Sequence, residues 1–533
     1  MAYRKRTPTE RVFEVIPAAL VWLTFGAAFY LSFTHPAWAA VYIILFDVYW
    51  VLKAINTTAH LISAYSHYRH DLQIDWFEVV KKTNDRAAFA QFWRSRLESC
   101  PRRWRGLAKN ELKRFAQKQE LADWRQIYHV VLFPFVDEDI ALLRASISGV
   151  LESNYDKQRV IILLAAEERA GEAAVLAAAK IYDEFGQKFG AFLVSFHPDG
   201  LPGEIRGKSA NASYAVQQTL LPFLKEKNID TGHVIISNLD SDTVVHRQYL
   251  ARVTYEWLRA DDPHRRSYQP IALYNNNMWD SPALVRVIAV ANSFWQFMES
   301  SRPDRLRTFS SHSMSLKTLV AVGFWHKEIV NEDAYIFWQC YLHFHGQYEV
   351  APLFIPVSMD TCLGGTYRQT LVNQYKQKRR WAYNVEYWPH LVPRLLTDGR
   401  IALSSRLYKF WQYLEGNYNW ATASIMIAVM GFLPAFLGDN FTGTVFGFNL
   451  PYATRLIMNI ALIFLIASVY LNMILLPPRP GRYKWTRTAA MYAQWVLVPF
   501  ISIIWGSLPA IEAQTRLALG KYMEFWVTPK IRH

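Results

Sequence analysis

Cysteine is scarce in this chain, with only Cys100, Cys340 and Cys362 among 533 residues. Three scattered cysteines supply neither a disulfide framework nor the spacing of a zinc site. Charged residues make up 19% of the chain, below the quarter or so of an ordinary soluble protein. Acids are the minority among them, which leaves a net charge of +14. Because no recognised nucleic-acid-binding motif accompanies this charge, we expect no nucleic-acid partner; anionic lipid and an anionic substrate explain it better.

Apolar and aromatic residues are abundant, at 52% and 15%, and include 20 Trp. Apolar runs at about residues 15–33 and 38–52 are each near the length that crosses a bilayer. A signal peptide is the alternative for the first run, but its apolar core is too long and a second span follows at once. The basic residues before the first run are Arg4, Lys5, Arg6 and Arg11. They predict a cytoplasmic N-terminus and a transmembrane hairpin over residues 1–57.

The next two regions differ in pattern. Residues 58–125 are polar and basic, which predicts helices along the cytoplasmic membrane surface. From residue 126 short apolar runs alternate with helical stretches, which predicts an α/β domain with a largely parallel sheet over residues 126–370. The predicted strands are residues 130–133, 159–164, 191–196 and 233–236.

Acidic residues follow three of these strands, at the edge where such sheets bind ligands. Asp240 and Asp242 follow the fourth strand and could share one divalent cation, Mg²⁺ or Mn²⁺, together with a substrate diphosphate. A polar turn is the alternative, because Asp and Ser are common turn residues. The acids after the first two strands are Asp137, Glu138, Glu167 and Glu168.

Three later features add candidate chemistry. Lys208 begins a helical stretch where it could meet a diphosphate, although a solvated helix start explains it equally. Glu332 and Asp333 precede a helix, where dipole stabilisation alone accounts for acids. Asp333 can act as a general base only if the fold brings it opposite the Asp pair. Arg380 could stabilise a departing diphosphate and Trp381 could stack on a sugar, although an interfacial anchor would look similar.

Taken in order, these features resemble a known motif series. Asp240-Ser241-Asp242, Glu332-Asp333 and Gln377-x-x-Arg380-Trp381 are similar to the D-x-D, [T/N]-E-D and Q-x-x-R-W motifs of membrane-embedded family 2 glycosyltransferases. That group contains the cellulose, chitin and hyaluronan synthases. The resemblance implies a GT-A fold, that is, a Rossmann-like nucleotide-sugar-binding domain inserted between transmembrane helices, and inverting transfer by single displacement.

The same resemblance implies roles for individual residues. Asp240 and Asp242 would hold the metal, and Asp333, beside Glu332, would be the base. The remaining roles are diphosphate and acceptor contacts for Gln377, Arg380 and Trp381, and nucleotide contacts for Asp137, Glu138, Glu167 and Lys208. The pairs Asp137-Glu138 and Glu167-Glu168 depart from the family's usual Asn-Glu and paired Asp. Ser311 and His312 lie where relatives have an acceptor-facing loop, and we expect them to line that path.

The end of the sequence adds one further match. Phe525-Trp526-Val527-Thr528-Pro529-Lys530 resembles F-x-V-T-x-K, the gating-loop signature of bacterial cellulose synthases. This implies that Phe525, Val527, Thr528 and Lys530 reach over the bound nucleotide from the cytoplasmic side.

Hydropathy complicates that assignment, because three full spans after Trp381 would put the C-terminus outside. The apolar runs are residues 420–437, 457–476 and 490–505. Basic residues after the second run mark a cytoplasmic loop, and prolines at 499 and 509 interrupt the third run and its end. We therefore expect the third run to be interfacial or re-entrant. The predicted segments are interfacial helices with Q-x-x-R-W at 371–415, a transmembrane hairpin at 416–478, and interfacial or re-entrant helices with the gating segment at 479–533.

The sequence predicts a multi-pass enzyme of the plasma (inner) membrane with a cytoplasmic catalytic domain. It would polymerise a nucleotide-diphosphate sugar into a β-linked polysaccharide and translocate the product, alone or as a homo-oligomer. A non-processive transferase that adds one sugar to a lipid carrier is the alternative enzyme. A silent scaffold or a transporter is the non-enzymatic alternative; a transporter would show more spans, paired as repeats.

Overall fold

Two long helices open the chain in a computed structural model that describes residues 6–117 and 122–530. They are α1, Pro8–Thr34, and α2, Pro36–Asp71. Thr7 begins α1 with a capping box, because its hydroxyl accepts the Glu10 N–H and the Glu10 carboxylate accepts the Thr7 N–H. The predicted hairpin is therefore helical, but α2 continues unbroken to Asp71 and passes the expected boundary at residue 57. Arg4 and Lys5, used to predict orientation, lie outside the described residues.

Helices long and apolar enough to cross a membrane occur at both ends of the described chain. By length and composition they are α1, α2 and the helical segment Trp485–Ala518. The pair Leu403–Ala428 and Met430–Leu437, bent by 44°, would be a fourth if it formed one span. These helices are compatible with a membrane protein.

The basic region contains α3, Trp76–Lys82; α4, Arg86–Ser99; and α5, Arg102–Gln117. Trp76, Phe89 and Trp93 on the first two helices are almost completely buried in the same apolar cluster as the sheet. The region predicted to lie along the membrane surface therefore packs into the α/β domain. Lys118, the end of its basic stretch, lies outside the described residues.

A mixed eight-stranded sheet forms the centre of the molecule. Its strands are β1, Tyr128–Phe135; β2, Val160–Glu167; β3, Ala191–His197; β4, Val234–Asn238; β5, Val244–Val245; β6, Arg266–Tyr274; β7, His312–Ser315; and β8, Glu349–Met359. The spatial order is β3-β2-β1-β4-β7-β6-β8-β5. The four predicted strands, β1 to β4, form a parallel half. The other half is mixed, with antiparallel β4–β7, β6–β7 and β5–β8 pairs and a parallel β6–β8 pair.

Helices cover both faces of the sheet. They are α6, Ile140–Leu151; α7, Glu172–Phe185; α8, Lys208–Ala215; α9, Leu221–Glu226; α10, Tyr249–Arg259; α11, Ala283–Ser300; α12, Leu316–Ala321; and α13, Glu332–His343. Along β1, Val130 and Leu132 belong to one apolar cluster, and Val131 and Phe133 belong to the other. Side chains alternate across a strand, so this central strand is buried on both faces.

The chain after β8 is helical until its final segment. The helices are α14, Tyr367–Ala382; α15, Trp388–Thr397; α16, Leu403–Ala428; α17, Leu433–Leu437; α18, Val445–Leu475; α19, Trp485–Ala493; α20, Val498–Ile501; and α21, Leu508–Ala518. Turns of 3₁₀ and π geometry join α19 to α21. Residues 521–530 then extend back to the carboxyl ends of the parallel strands.

Candidate active site

Lys208 joins two carboxylates that are far apart in sequence. It is the first residue of α8, and its ammonium nitrogen lies 2.7 Å from Asp240 Oδ1 and 3.1 Å from Asp333 Oδ1. Asp240 follows β4, and Asp333 lies in the first turn of α13. The fold therefore brings the predicted metal ligand and the predicted base to one side chain.

Asp242 is completely buried and bound on both carboxylate oxygens. The Lys530 ammonium nitrogen is 2.5 Å from Oδ1, and the Asp360 N–H donates to Oδ2 at 2.7 Å. Asn276 Nδ2 donates to Asp242 O at 3.2 Å and to Asp360 Oδ1 at 2.8 Å. Asp360 and Asn276 were not predicted. Asp360 follows β8 directly, so recognising that strand would have marked it.

The charges of this cluster are strongly coupled. Burial alone would raise the pKa of Asp240, but the ammonium groups of Lys208 and Lys530 outweigh burial and hold it well below its usual range. Burial and the neighbouring Asp360 and Asp240 carboxylates raise the pKa of Asp242 despite Lys530. Burial alone would lower the pKa of Lys208, but the carboxylates of Asp240 and Asp333 outweigh burial and raise this pKa above its usual value. The lysine therefore stays charged. The opposite charges stabilise one another within this cluster.

These carboxylates suit a hard divalent cation. Among the described residues, no group of three or more His, Cys, Asp or Glu side chains is arranged to hold a metal ion. Asp240 and Asp242 nevertheless present oxygens that already attract two cations, Lys208 and Lys530. Mg²⁺ and Mn²⁺ prefer oxygen ligands, and Mg²⁺ is usually held by one or two carboxylates with substrate phosphates. The donor set fits such an ion.

The first turn of α13 is fixed against the end of α14. Glu386 Oε1 accepts the N–H groups of Val330 and Asn331, both at 3.0 Å. Asn331 Nδ2 donates to Arg380 O at 2.8 Å. Glu332, next along, is buried, and both burial and the Asp333 carboxylate raise its pKa well above the usual range. Glu386 and Asn331, which were not predicted as site residues, therefore hold Asp333 in register with Arg380.

The C-terminal segment contacts α14 at the predicted positions. Gln377 Nε2 is 3.4 Å from Thr528 Oγ1, and the Arg380 guanidinium lies 4.8 Å from the centre of the Phe525 ring. A Cβ atom at Gly207 would be 3.0 Å from the Phe525 Cβ, so a glycine there permits this close approach. Val527 is partly buried in the same segment.

Trp381 contacts an aromatic residue near the carboxylate cluster. Its ring centre is 6.2 Å from that of Tyr274, the last residue of β6. Burial and the carboxylates of Asp240 and Asp242 raise the pKa of Tyr274. The aromatic pair therefore borders the carboxylate cluster.

The acidic residues after β1 and β2 differ in their contacts. Glu138 accepts the Val136 N–H at 2.6 Å and the Ser241 hydroxyl at 3.1 Å, which ties it to the loop after β4. Glu167 pairs with Arg169 at 2.5 Å. Burial raises the pKa of both Glu138 and Glu167. Asp137 is exposed.

Ser311 and His312, which the sequence places along an acceptor path, lie in the protein interior, and that role stays a prediction. Both are fully buried, with the Ser311 hydroxyl 3.0 Å from Thr243 Oγ1 and His312 Nδ1 2.9 Å from Phe309 O. His312 begins β7, which pairs with β4, and Ser311 directly precedes that strand. Their neighbour Ser310 reaches the site instead, and its hydroxyl donates to Asp240 Oδ2 at 2.6 Å.

Comparison with known proteins identifies the family. The sequence family described as glycosyl transferase family group 2 matches residues 235–508, which is just over half of the chain. The chain belongs to this family. This confirms the predicted family at the level of a family 2 glycosyltransferase, and the processive subtype stays a prediction. No curated protein matches the chain.

Several solved structures are similar at low identity. The mannosyltransferase PcManGT from Pyrobaculum calidifontis, in complex with GDP-Man and Mn²⁺, is 13% identical, with a TM-score of 0.37 over 84% of this chain and 99% of that one. S. aureus TarS 1-349 in complex with UDP-GlcNAc is 10% identical, with a TM-score of 0.35 over 74% and 93%. GalNAc-T7 with UDP, GalNAc and Mn²⁺ is 9% identical, with a TM-score of 0.32 over 59% and 54%. Scores this low do not decide what this chain binds.

Proposed function

We propose that this chain is an inverting membrane glycosyltransferase with a GT-A domain that extends a β-linked polysaccharide from a nucleotide-diphosphate sugar. The convergence of three distant sequence motifs on one site carries the proposal. Lys208 contacts both Asp240 and Asp333, and Gln377 and Arg380 contact the segment that ends at Lys530 on Asp242. The site lies at the carboxyl ends of parallel strands, where α/β sheets bind nucleotides.

On the donor side, Asp240 and Asp242 hold Mg²⁺ or Mn²⁺, which neutralises diphosphate charge when bound. Lys208 and Arg380 provide further positive charge for the leaving nucleotide diphosphate. Glu138 and Glu167, at the ends of the adjacent strands, serve the nucleoside together with Asp137. Their ties to Ser241 and Arg169 support this placement.

Asp333, with Glu332 beside it, acts on the acceptor. Its carboxylate takes the proton of the acceptor hydroxyl as that oxygen attacks the anomeric carbon and the nucleotide diphosphate leaves. A base requires hydrogen-bond reach to its proton, and Asp333 contacts the same lysine, Lys208, as the proposed metal ligand Asp240. Trp381 offers a ring face to the acceptor sugar beside Tyr274.

The C-terminal segment acts as a gate over the nucleotide. Phe525, Val527, Thr528 and Lys530 follow the resemblance to the F-x-V-T-x-K signature. Their approach to Arg380, Gln377 and Asp242 supports a closing role, because a segment held over the site excludes water from the reaction.

Contacts at both ends of Trp485–Ala518 support the proposed membrane arrangement. Before it, Arg482 Nη2 lies 2.5 Å from Asp280 Oδ1, and after it, Lys530 contacts Asp242. Both partners belong to the α/β domain. Contacts to one domain at both ends support an interfacial segment, with the catalytic domain on the cytoplasmic side of the plasma (inner) membrane. The candidate spans of one chain are few for a closed channel, and a homo-oligomer could complete the translocation path.

A single transfer to a lipid carrier is the second candidate. The observation that favours it is the Lys378 ammonium nitrogen, 5.1 Å from the ring centre of Trp420 on α16, which belongs to the bent pair that could span a membrane. In that case no polymer would form, and the C-terminal segment would cover a single transfer.

A product assay tests the proposal. Purified full-length protein in lipid with Mn²⁺ is given UDP-glucose, UDP-N-acetylglucosamine, UDP-galactose and GDP-mannose separately, and product size is read by gel and mass spectrometry. A long polymer from one donor would support the synthase and identify its sugar. A single-sugar lipid product would favour the alternative. Absence of nucleotide release from every donor would count against both.

A further inference from the structure

Lys378 is a cation on α14 with no carboxylate partner among residues 6–117 and 122–530. Its ammonium nitrogen is 3.2 Å from Asn292 Oδ1, a neutral amide on α11. The ring centres of Trp381 and Trp420 lie 5.4 Å and 5.1 Å away. Burial lowers the pKa of Lys378 to about 8, so the side chain is still mostly protonated at neutral pH. Only two indole faces and one amide balance this charge.

Three other cations near the site pair with acids. Arg379, the next residue on α14, pairs with Glu512 at 2.5 Å, and Lys208 and Lys530 pair with carboxylates of the cluster. An unpaired charge in the interior carries a desolvation cost that an anion would offset. Cation–π contacts offset part of that cost. The position therefore calls for an anion that the described chain does not provide.

The surroundings of Lys378 connect the carboxylate cluster to a membrane helix. Trp381 borders Tyr274 on one side, and Trp420 lies on α16, part of the bent pair that could span a membrane. Lys378, Trp381, Trp420 and Asn292 all keep part of their surface accessible. Lys378 therefore lies between the aromatic pair that borders the carboxylates and a candidate membrane helix, where an acceptor would pass from the site towards the bilayer.

We propose that the acceptor beside Trp381 carries an oxyanion, a carboxylate or a phosphate, that binds the Lys378 ammonium. The inference rests on the proposed function, because it names the class of acceptor for that site. The tryptophan faces position the sugar ring, and the ammonium selects the charge. The oxyanion has two sources, a uronic acid in the polysaccharide or the phosphate of a lipid-linked acceptor.

Two matched pairs of small probes test the charge selection in full-length protein in lipid discs. The first pair is methyl β-glucoside and methyl β-glucuronide, and the second is citronellol and citronellyl phosphate. Binding is measured by calorimetry without a donor, in wild type and three variants. Lys378→Met removes the charge at similar length, and Lys378→Arg keeps it. Arg368→Met is the matched control, because it removes an exposed cation from the same helix.

We expect the charged member of one pair to bind about tenfold or more tightly than its neutral partner, as for a hydrogen bond to a charged group. Lys378→Arg and Arg368→Met should keep that preference, and Lys378→Met should lose it. The pair that shows the preference identifies the source of the oxyanion. Equal binding within both pairs, binding of none of the four probes, or a preference that survives in Lys378→Met would overturn the proposal.

Failure of the proposed function would look different. In that case wild-type protein would neither bind nucleotide sugars nor transfer sugar, whatever the result with the acceptor probes. Conversely, a transferase without charge preference would retain the proposed function and reject only the anionic acceptor. Melting temperatures of the three variants identify any that fail to fold, and Lys378→Arg then carries the comparison with wild type.

Discussion

Lysines on the proposed donor and acceptor sides of the site have different kinds of partners. On the donor side, Lys208 and Lys530 are paired with Asp240, Asp333 and Asp242. On the acceptor side, Lys378 meets two indole rings and an amide. The two donor-side lysines are thus neutralised by carboxylates of the chain itself, so a ligand that contacts them must exchange with existing ion pairs. On the acceptor side, the Lys378 charge has no acidic partner among the described residues, so an anionic ligand can neutralise it.

The largest expected effect comes from the base. Asp333→Asn should reduce transfer by about 10²- to 10⁴-fold, the usual contribution of a general base, and leave donor binding nearly intact. Glu332→Gln is the matched control, because burial and Asp333 raise the pKa of Glu332 and glutamine resembles its protonated form. Transfer rates and donor affinity are measured for both. Equal loss of donor affinity in Asp333→Asn would remove it from the base role.

Asp242→Asn should act next on the donor side. It removes a buried carboxylate charge that attracts cations, and should weaken Mn²⁺-dependent nucleotide binding by about 2 kcal/mol or more. Asp199→Asn, at an exposed ion pair with Arg206, controls for loss of charge. Titration of the nucleotide with and without Mn²⁺ gives the comparison. Unchanged Mn²⁺-dependent binding would contradict the metal assignment.

Removal of the C-terminal segment tests whether the paired lysine belongs to a gate. Truncation after Tyr522 deletes Phe525, Thr528 and Lys530 together, and should reduce elongation about tenfold or more without unfolding, since one electrostatic donor alone is worth this much. Lys530→Met is the narrower variant and isolates the contact with Asp242. Product length and melting temperature are measured. A fully active truncated protein would show that the segment is not a gate.

Substitution of Glu386 tests whether the start of α13, which carries Asp333, is held against the end of α14, which carries Arg380. Glu386→Leu leaves the buried N–H groups of Val330 and Asn331 without their acceptor, a cost of about 1–3 kcal/mol. Burial raises the pKa of Glu386 to about 8, so the neutral Glu386→Gln should behave like wild type. Melting temperature and kcat report the effect. Similar losses in both variants would mean that the carboxyl charge matters, not its acceptor oxygen.

The smallest expected effect concerns the base of the C-terminal segment. The Tyr522 hydroxyl donates to Glu14 Oε2 at 3.1 Å, and Arg11 Nη2 donates to Ala518 O at 2.7 Å, so α1 anchors this segment. Tyr522→Phe removes the hydrogen bond to the Glu14 carboxylate, worth about 1.5 kcal/mol, together with the longer one from Arg11 Nη1 at 3.4 Å. In a Val527→Cys background, thiol labelling should become severalfold faster. An unchanged labelling rate would show that this anchor does not restrain the segment.

Strand prediction succeeded where apolar runs were continuous and failed elsewhere. β1 to β4 are buried parallel strands, and such strands appear in sequence as unbroken apolar runs. β6 contains Pro270 and an irregular register between Gln269 and Ile271, so its pattern is broken. β7 is four residues long and polar, yet fully buried beside β4. Missing these strands concealed Asp360 and the burial of Ser311 and His312.

The sequence by itself determined the order of the motifs, the first four strands, the helix that begins at Lys208 and the family. These depend on local patterns and residue types. Only the tertiary structure decided that Lys208 would meet Asp240 and Asp333, 32 and 125 residues away, and that Lys530 would meet Asp242 across 288 residues. It alone decided that Lys378 would have no acidic partner among the described residues. Ion pairing depends on distance and burial in space, and neither is encoded in the spacing of residues along the chain.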